Sequence, residues 1–159
     1  MAILNIVKEG DEILRKKCRP VTEITPRIIR LLDDMQDTLE DANGAGLAAP
    51  QVGILRRIAI CDTDNGLVEL INPEIIAVEG EQQELEGCLS VPDVWGITQR
   101  PLKVTVRATN RFGEVFEVTG TDLDARCFCH EIDHLDGILF KDKTVRFLTP
   151  EELKEYREG

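Results

Sequence analysis

The chain has 159 residues, with 30 acidic side chains against 19 basic ones and a formal charge of −11 at pH 7. That length fits one domain, residues 1–159, able to bury roughly two thirds of its unfolded surface and to hold a rigid site without disulfides. No Lys/Arg cluster offsets the acidic balance, which argues against direct binding to nucleic acid or to an anionic membrane.

The opening MAILNIVKEGDEILRKK has no charged stretch followed by an apolar one, and no apolar run reaches about 18 residues, so the expected setting is the cytoplasm. Five cysteines, Cys18, Cys61, Cys88, Cys127 and Cys129, are odd in number and lack a secreted framework, which favours free thiols or metal ligands. From Thr25 the residues Ile28, Leu31, Leu32, Met35, Leu39 and Ala42 recur on one helical face, predicting an N-terminal amphipathic helix. Thr25 can cap it, Pro26 suits its first turn and Asn43-Gly44 can end it. Next comes NGAGLAAPQ, Asn43 to Gln51, a run of small residues that either lets main chain approach a ligand or serves only as a helix stop and loop.

Between about residues 57 and 118 the pattern turns to strands: RIAIC, GLVELIN, EIIAVEG, KVTVRAT and EVFEVTG, the last two flanking the turn Asn110-Arg111-Phe112-Gly113. Valines at 104 and 106, and at 115 and 118, suggest half-buried strands. A second helix is expected from near Thr121-Asp122 to Asp136, with Gly137 as a left-handed stop, and Thr149-Pro150-Glu151-Glu152 is a capping box opening a last short helix. No repeat or composition break appears. The expected fold is α+β, with mostly antiparallel sheets packed around a central helix that carries HExxH.

That motif lies in CHEIDHLDGILF, Cys129 to Phe140. Histidines four apart on a helix share a face, so His130 and His134 can converge on one ion. A catalytic site of this kind takes three protein ligands, and Phe140 cannot be the third. Downstream, Glu151, Glu152 and Glu155 are available but have a simpler role as the acidic part of a solvated helix. Upstream, EGCLS offers Cys88, a thiolate donor beside a glycine that permits close backbone approach. Cys129 adjoins His130 but diverges from it by about 100° on a helix.

Taken together, GAGLAAPQ, EGCLSVP and HEIDHLDG occur in the order and at about the separations of GxGxAAxQ, EGCxS and HExxH, and on those three motifs the chain resembles the bacterial peptide deformylases over nearly its full length. The resemblance implies Cys88, His130 and His134 as metal ligands and Glu131 as the base. It implies the Gln51 amide and the Leu89 backbone N–H as oxyanion donors. The substrate implied is a nascent peptide beginning with N-formylmethionine, bound in extended form beside Gly44, Ala45 and Gly46 and beside Glu86 and Gly87, with Leu123 and Cys127 lining a side-chain pocket. The metal implied is Fe(2+), with Zn(2+), Ni(2+) or Co(2+) able to replace it.

Two departures stand out. Trp95 occupies a position where many relatives carry arginine, and it can serve as a flap over the cleft or as core. The acidic tail lacks the basic terminal helix by which some relatives attach to ribosomes, so any ribosome proximity is transient. Two other functions fit parts of the pattern: an HExxH endopeptidase, and a catalytically silent relative that only binds formylated peptides.

Overall fold

A computed structural model describes residues 2–158. In chain order its regular elements are α1 (Pro26–Ala42), β1 (Gly46–Ala48), β2 (Ile58–Thr63), β3 (Gly66–Glu79), β4 (Gln82–Cys88), β5 (Val91–Arg100), β6 (Lys103–Thr109), β7 (Val115–Thr121), α2 (Leu123–Leu135), β8 (Thr144–Phe147) and α3 (Pro150–Glu158). The architecture is α+β with antiparallel pairing. One sheet has the order β1-β2-β3-β6-β7 and a second, smaller one the order β4-β5-β8.

Local chemistry explains where the helices begin and end. Thr25 Oγ1 accepts the Ile28 N–H at 3.3 Å, and Asn43 takes a left-handed φ of 55° that closes α1. The buried side of α1, Leu32, Met35 and Leu39, packs on Leu47, Ile58, Ile60 and Ile71 of the large sheet. Helix α2 runs Leu123–Leu135, slightly shorter than the sequence suggests, because Asp122 has a φ of 54° and its side chain caps nothing. Its far end is closed by Gly137 at φ 75°, and there Arg57 and the Cys18 N–H supply donors to the Leu135 carbonyl. Thr149 and Glu152 make the reciprocal capping bonds of α3 at 3.2 Å each.

Three strand expectations need correction. GLVELIN and EIIAVEG form one strand, β3, bent where Pro73 cannot join the ladder and Asn72 adopts φ 53° with its amide bonded to Val21 N–H and C=O. Val104 and Val106 are buried, but Val115 is exposed, because β7 turns Phe116 and Val118 to the core instead. The small sheet was not anticipated: β4 reads QQELEGC, too polar to look like a strand, since much of it lies at an exposed edge. No helix among the described residues is long and apolar enough to cross a membrane.

The two sheets meet at α2. Ala125, Phe128, Cys129 and Ile132 bury one side of it against Cys61, Leu70, Val104 and Val106 of the large sheet. The small sheet approaches from the other side, so β4 ends with Cys88 beside the C-terminal half of the helix.

Candidate active site

Cys88, His130 and His134 come from two elements and converge on one point. The Nε2 atoms of His130 and His134 are 3.2 Å apart, and Cys88 Sγ is 3.3 Å from His134 Nε2. Their donor atoms all lie within 4.8 Å of one another. Ligands placed tetrahedrally at bonds of about 2.0–2.3 Å are separated by roughly 3.3–3.8 Å, so the trio fits an ion of that class. Phe140 is buried and stacks on the His130 ring with centroids 6.1 Å apart, so it packs the site without coordinating. Glu152 is engaged with Arg146 and Thr149, which removes it from the cluster. Cys18 and Cys129 are buried thiols pushed up to about 11 by desolvation, and Cys61 is also raised by burial, so these remain protonated packing residues.

Behind His130 stands a buried charge network. Glu86 Oε2 lies 2.6 Å from His130 Nδ1, and the same carboxylate accepts from Thr98 Oγ1 at 2.9 Å and from Arg100 at 2.8 and 3.3 Å. Arg100 also bonds Asp133 on α2 at 2.6 Å. Burial alone would raise the Glu86 carboxyl, but hydrogen bonds from His130 and Arg100 outweigh it and hold it down at about 2. An ionised carboxylate at Nδ1 holds that nitrogen's proton and leaves the Nε2 lone pair free to coordinate. Thr98 and Arg100 escape a sequence reading because antiparallel pairing alone brings β5 to β4, aligning Thr98 with Glu84 and Arg100 with Gln82. His134 differs: its Nδ1 is buried and has no partner among the described residues.

Glu131 is buried, and its Oε1 also lacks a partner among the described residues. Burial pushes its carboxyl up to about 7, against the lowering effect of His130. A group poised there can take and return a proton near neutral pH. Gly46 is required beside it: a Cβ at that position would lie 2.6 Å from Glu131 Oε2 and 2.7 Å from Cys127 Sγ.

Gln51 is fixed by its own surroundings. Its Oε1 accepts the Ala48 N–H at 2.9 Å, so its Nε2 must point the other way, donating to Ser90 Oγ at 3.0 Å and toward Cys88 Sγ at 3.6 Å. The N-terminal segment ties these parts together, since Val7 N–H donates to the Gln51 carbonyl and Glu9 N–H to the Ser90 carbonyl, both at 2.7 Å.

These groups open on a cavity of about 440 Å³ lined by Gly44, Ala45, Gly46, Gln51, Glu86, Gly87, Cys88, Leu89, Leu123, Cys127, His130 and Glu131. His134 sits behind that wall. Trp95 also lines the cavity, its ring lying across Gly87, where a Cβ would come within 2.6 Å of the indole. Arg157 of α3 covers the indole at 4.8 Å. Trp95 is therefore a wall residue, half-buried and braced from outside.

Known proteins resemble the chain along nearly its whole length. The family described as polypeptide deformylase matches residues 3–149. A peptide deformylase of Caldanaerobacter subterraneus is 57% identical over 158 residues, covering 99% of each chain. One of Caldicellulosiruptor bescii is 54% identical over 157 residues, covering 99% of this chain and 95% of its own. The crystal structure of a peptide deformylase from Legionella pneumophila superposes with a TM-score of 0.86 at 41% identity, covering 99% of this chain and 96% of the other. Matched at this identity along nearly its whole length, the chain belongs to the polypeptide deformylase family of enzymes.

Proposed function

We propose that the chain hydrolyses the N-formyl group from formylmethionine at the start of newly synthesised proteins in the cytoplasm, releasing formate and a free amino terminus, with residues 1–159 acting as one catalytic domain. The observation that carries this reading is the convergence of Cys88, His130 and His134, with Cys88, His130, Glu131 and Gln51 lining one cleft and His134 directly behind it. In this reading α2 is the central helix that carries the HExxH residues, and α1 is an amphipathic support for the large sheet.

Cys88, His130 and His134 would hold the metal. One sulfur and two imidazoles suit Fe(2+), Zn(2+), Ni(2+) or Co(2+), and ferrous iron is the occupant we assign. When bound there, such an ion would supply Lewis acidity, polarising the formyl carbonyl and easing ionisation of water. Glu131 takes the proton of the attacking water and delivers it to the departing amine nitrogen. The Gln51 Nε2 and the Leu89 backbone N–H donate to the oxygen on which negative charge develops. Gly44, Ala45 and Gly46 on one side, with Glu86 and Gly87 on the other, offer main chain to an extended peptide, while Leu123 and Cys127 face its first side chain. Encounter with a nascent chain near the ribosome would not use the tail, since α3 reads PEELKEYRE and is not basic.

The test is metal analysis and a formate assay under anaerobic conditions, using a formyl-Met tripeptide and the variant Cys88→Ser. Wild type should bind about one metal per chain and release formate, and the variant should lose both. Formate release by a metal-loaded Cys88→Ser protein would remove Cys88 from the ligand set. Cleavage of internal peptide bonds would favour an endopeptidase instead.

A further inference from the structure

Apart from the metal-facing histidine, the only basic side chain lining the cleft among the described residues is Arg126. Its guanidinium donates to Gln82 Oε1 at 2.6 Å. Unlike Arg100, Arg107, Arg111 and Arg146, it forms no ion pair among the described residues. Gln82 is itself locked, because its Nε2 donates to the Pro101 carbonyl at 3.0 Å and to the Asp122 carbonyl at 2.9 Å. That leaves only Oε1 to face α2. A neutral acceptor thus orients the guanidinium without cancelling its charge, and most of its five donors remain available. Glu84 on β4 accepts the Tyr156 hydroxyl and makes no ion pair with Arg126 among the described residues.

The place of Arg126 on α2 says which part of a ligand it would meet. Cys127 and His130 are deep in the cleft at 7% exposure each, whereas Leu123 is at its rim at 55%. Arg126 is three residues from Leu123 and lies beside it on the helix surface. In an extended peptide the first and third side chains point to the same side, about 6.8 Å apart. With the first side chain on the Cys127 floor, the third reaches the rim. Asp93 on β5 also lines the cleft and disfavours a carboxylate near it, so attraction to Arg126 is positional rather than general.

We propose that Arg126 is a specificity-determining residue that favours peptides carrying an acidic side chain at the third position, formyl-Met-x-Glu or formyl-Met-x-Asp. The assignment rests on the deformylase reading above. In a chain of charge −11 a general pull on acidic peptides is excluded, so any such preference must come from a local cation.

The test compares formate release, as kcat/KM, from the amides of formyl-Met-Ala-Glu, formyl-Met-Ala-Gln and formyl-Met-Ala-Lys, with wild type, Arg126→Gln and Arg126→Lys. At low salt, wild type should prefer Glu over Gln roughly threefold to fivefold, with Lys poorest. The preference should fall toward unity at about 0.5 M salt, collapse in Arg126→Gln and persist in Arg126→Lys. A wild-type Glu-to-Gln ratio of one, or one that Arg126→Gln leaves intact, overturns the assignment, and the wild-type ratio and its salt dependence decide the matter even if the variants fail to fold. If the Gln peptide is turned over while the ratio is flat, only Arg126 loses its role; if no peptide yields formate, the deformylase reading falls and this one with it.

Discussion

Two arginines on consecutive strands of different sheets carry the same chemistry into opposite surroundings. Arg100, at the end of β5, is 4% exposed and joins Glu86 to Asp133. Arg107, in the middle of β6, is 50% exposed and grips Glu117 of β7 across the sheet at 3.0 and 3.2 Å. Both are guanidinium–carboxylate contacts of ordinary length. Only the first spans elements that no strand ladder joins: β4 delivers Cys88, α2 delivers both histidines, and Arg100 touches a residue of each. The second joins strands already laddered from Lys103–Thr121 to Thr109–Val115. The same pair of groups can therefore set a geometry in one place and decorate a surface in the other, with burial and connectivity deciding between them.

The largest test of that contrast is Arg100→Leu. Leucine fills part of the space but leaves Glu86 and Asp133 without their cation, and Glu86 is too buried for water to compensate. Removing one partner of a buried network typically costs about 3–5 kcal/mol. Denaturant unfolding of the metal-free protein should show a loss in that range, and a loss under about 1 kcal/mol would mean that the network contributes no more than a surface pair. The Glu86 carboxyl also adds a pH signature. Its value, held down at about 2 against an ordinary 4.5, gives stabilisation that is full above 4.5 and disappears as the pH falls toward 2. The acid limb of wild-type stability should therefore be steeper than that of Arg100→Leu.

The contrast also explains what the sequence could disclose. Thr25 and Asn43 at the ends of α1 and the Thr149–Glu152 box act within a few residues of themselves, so their chemistry is legible in order along the chain. The spacing of His130 and His134 is likewise a property of one helix. Arg100 has no such local sign. It meets Glu86 only because β4 and β5 pair antiparallel, and β4 shows no alternating apolar pattern because it is an exposed edge. By sequence Trp95 fits either a flap over the cleft or the core, and only its ring lying across Gly87 makes it part of the cleft wall. What was legible is what neighbours in sequence decide; what was hidden depends on sheet register.

Glu86→Gln separates the charge of the network from its shape. The amide keeps the side-chain volume and one acceptor but cannot hold the Nδ1 proton of His130 as an anion does. Loss of such an outer partner typically weakens metal binding about 10- to 100-fold. Chelator competition with Zn(2+) or Ni(2+) reads this directly, without reference to turnover. His134, whose Nδ1 has no partner among the described residues, provides the internal contrast: the two imidazoles are held unequally, and the variant should narrow that difference. Unchanged affinity would show that Glu86 serves packing and Arg100 rather than the metal.

Arg107→Gln is the counterpart, and its expected effect is the smallest. The guanidinium and Glu117 are each about half exposed, so water replaces most of what the pair provides, and salt screens the remainder. Val104, Val106 and the full β6–β7 ladder still hold the strands, and the site lies on the other side of α2 from this pair. Unfolding free energy should change by less than about 1 kcal/mol, and metal affinity should not change measurably. A loss as large as that of Arg100→Leu would erase the distinction between the two arginines and would mean that register in the large sheet, rather than the buried charges beneath His130, sets the position of α2.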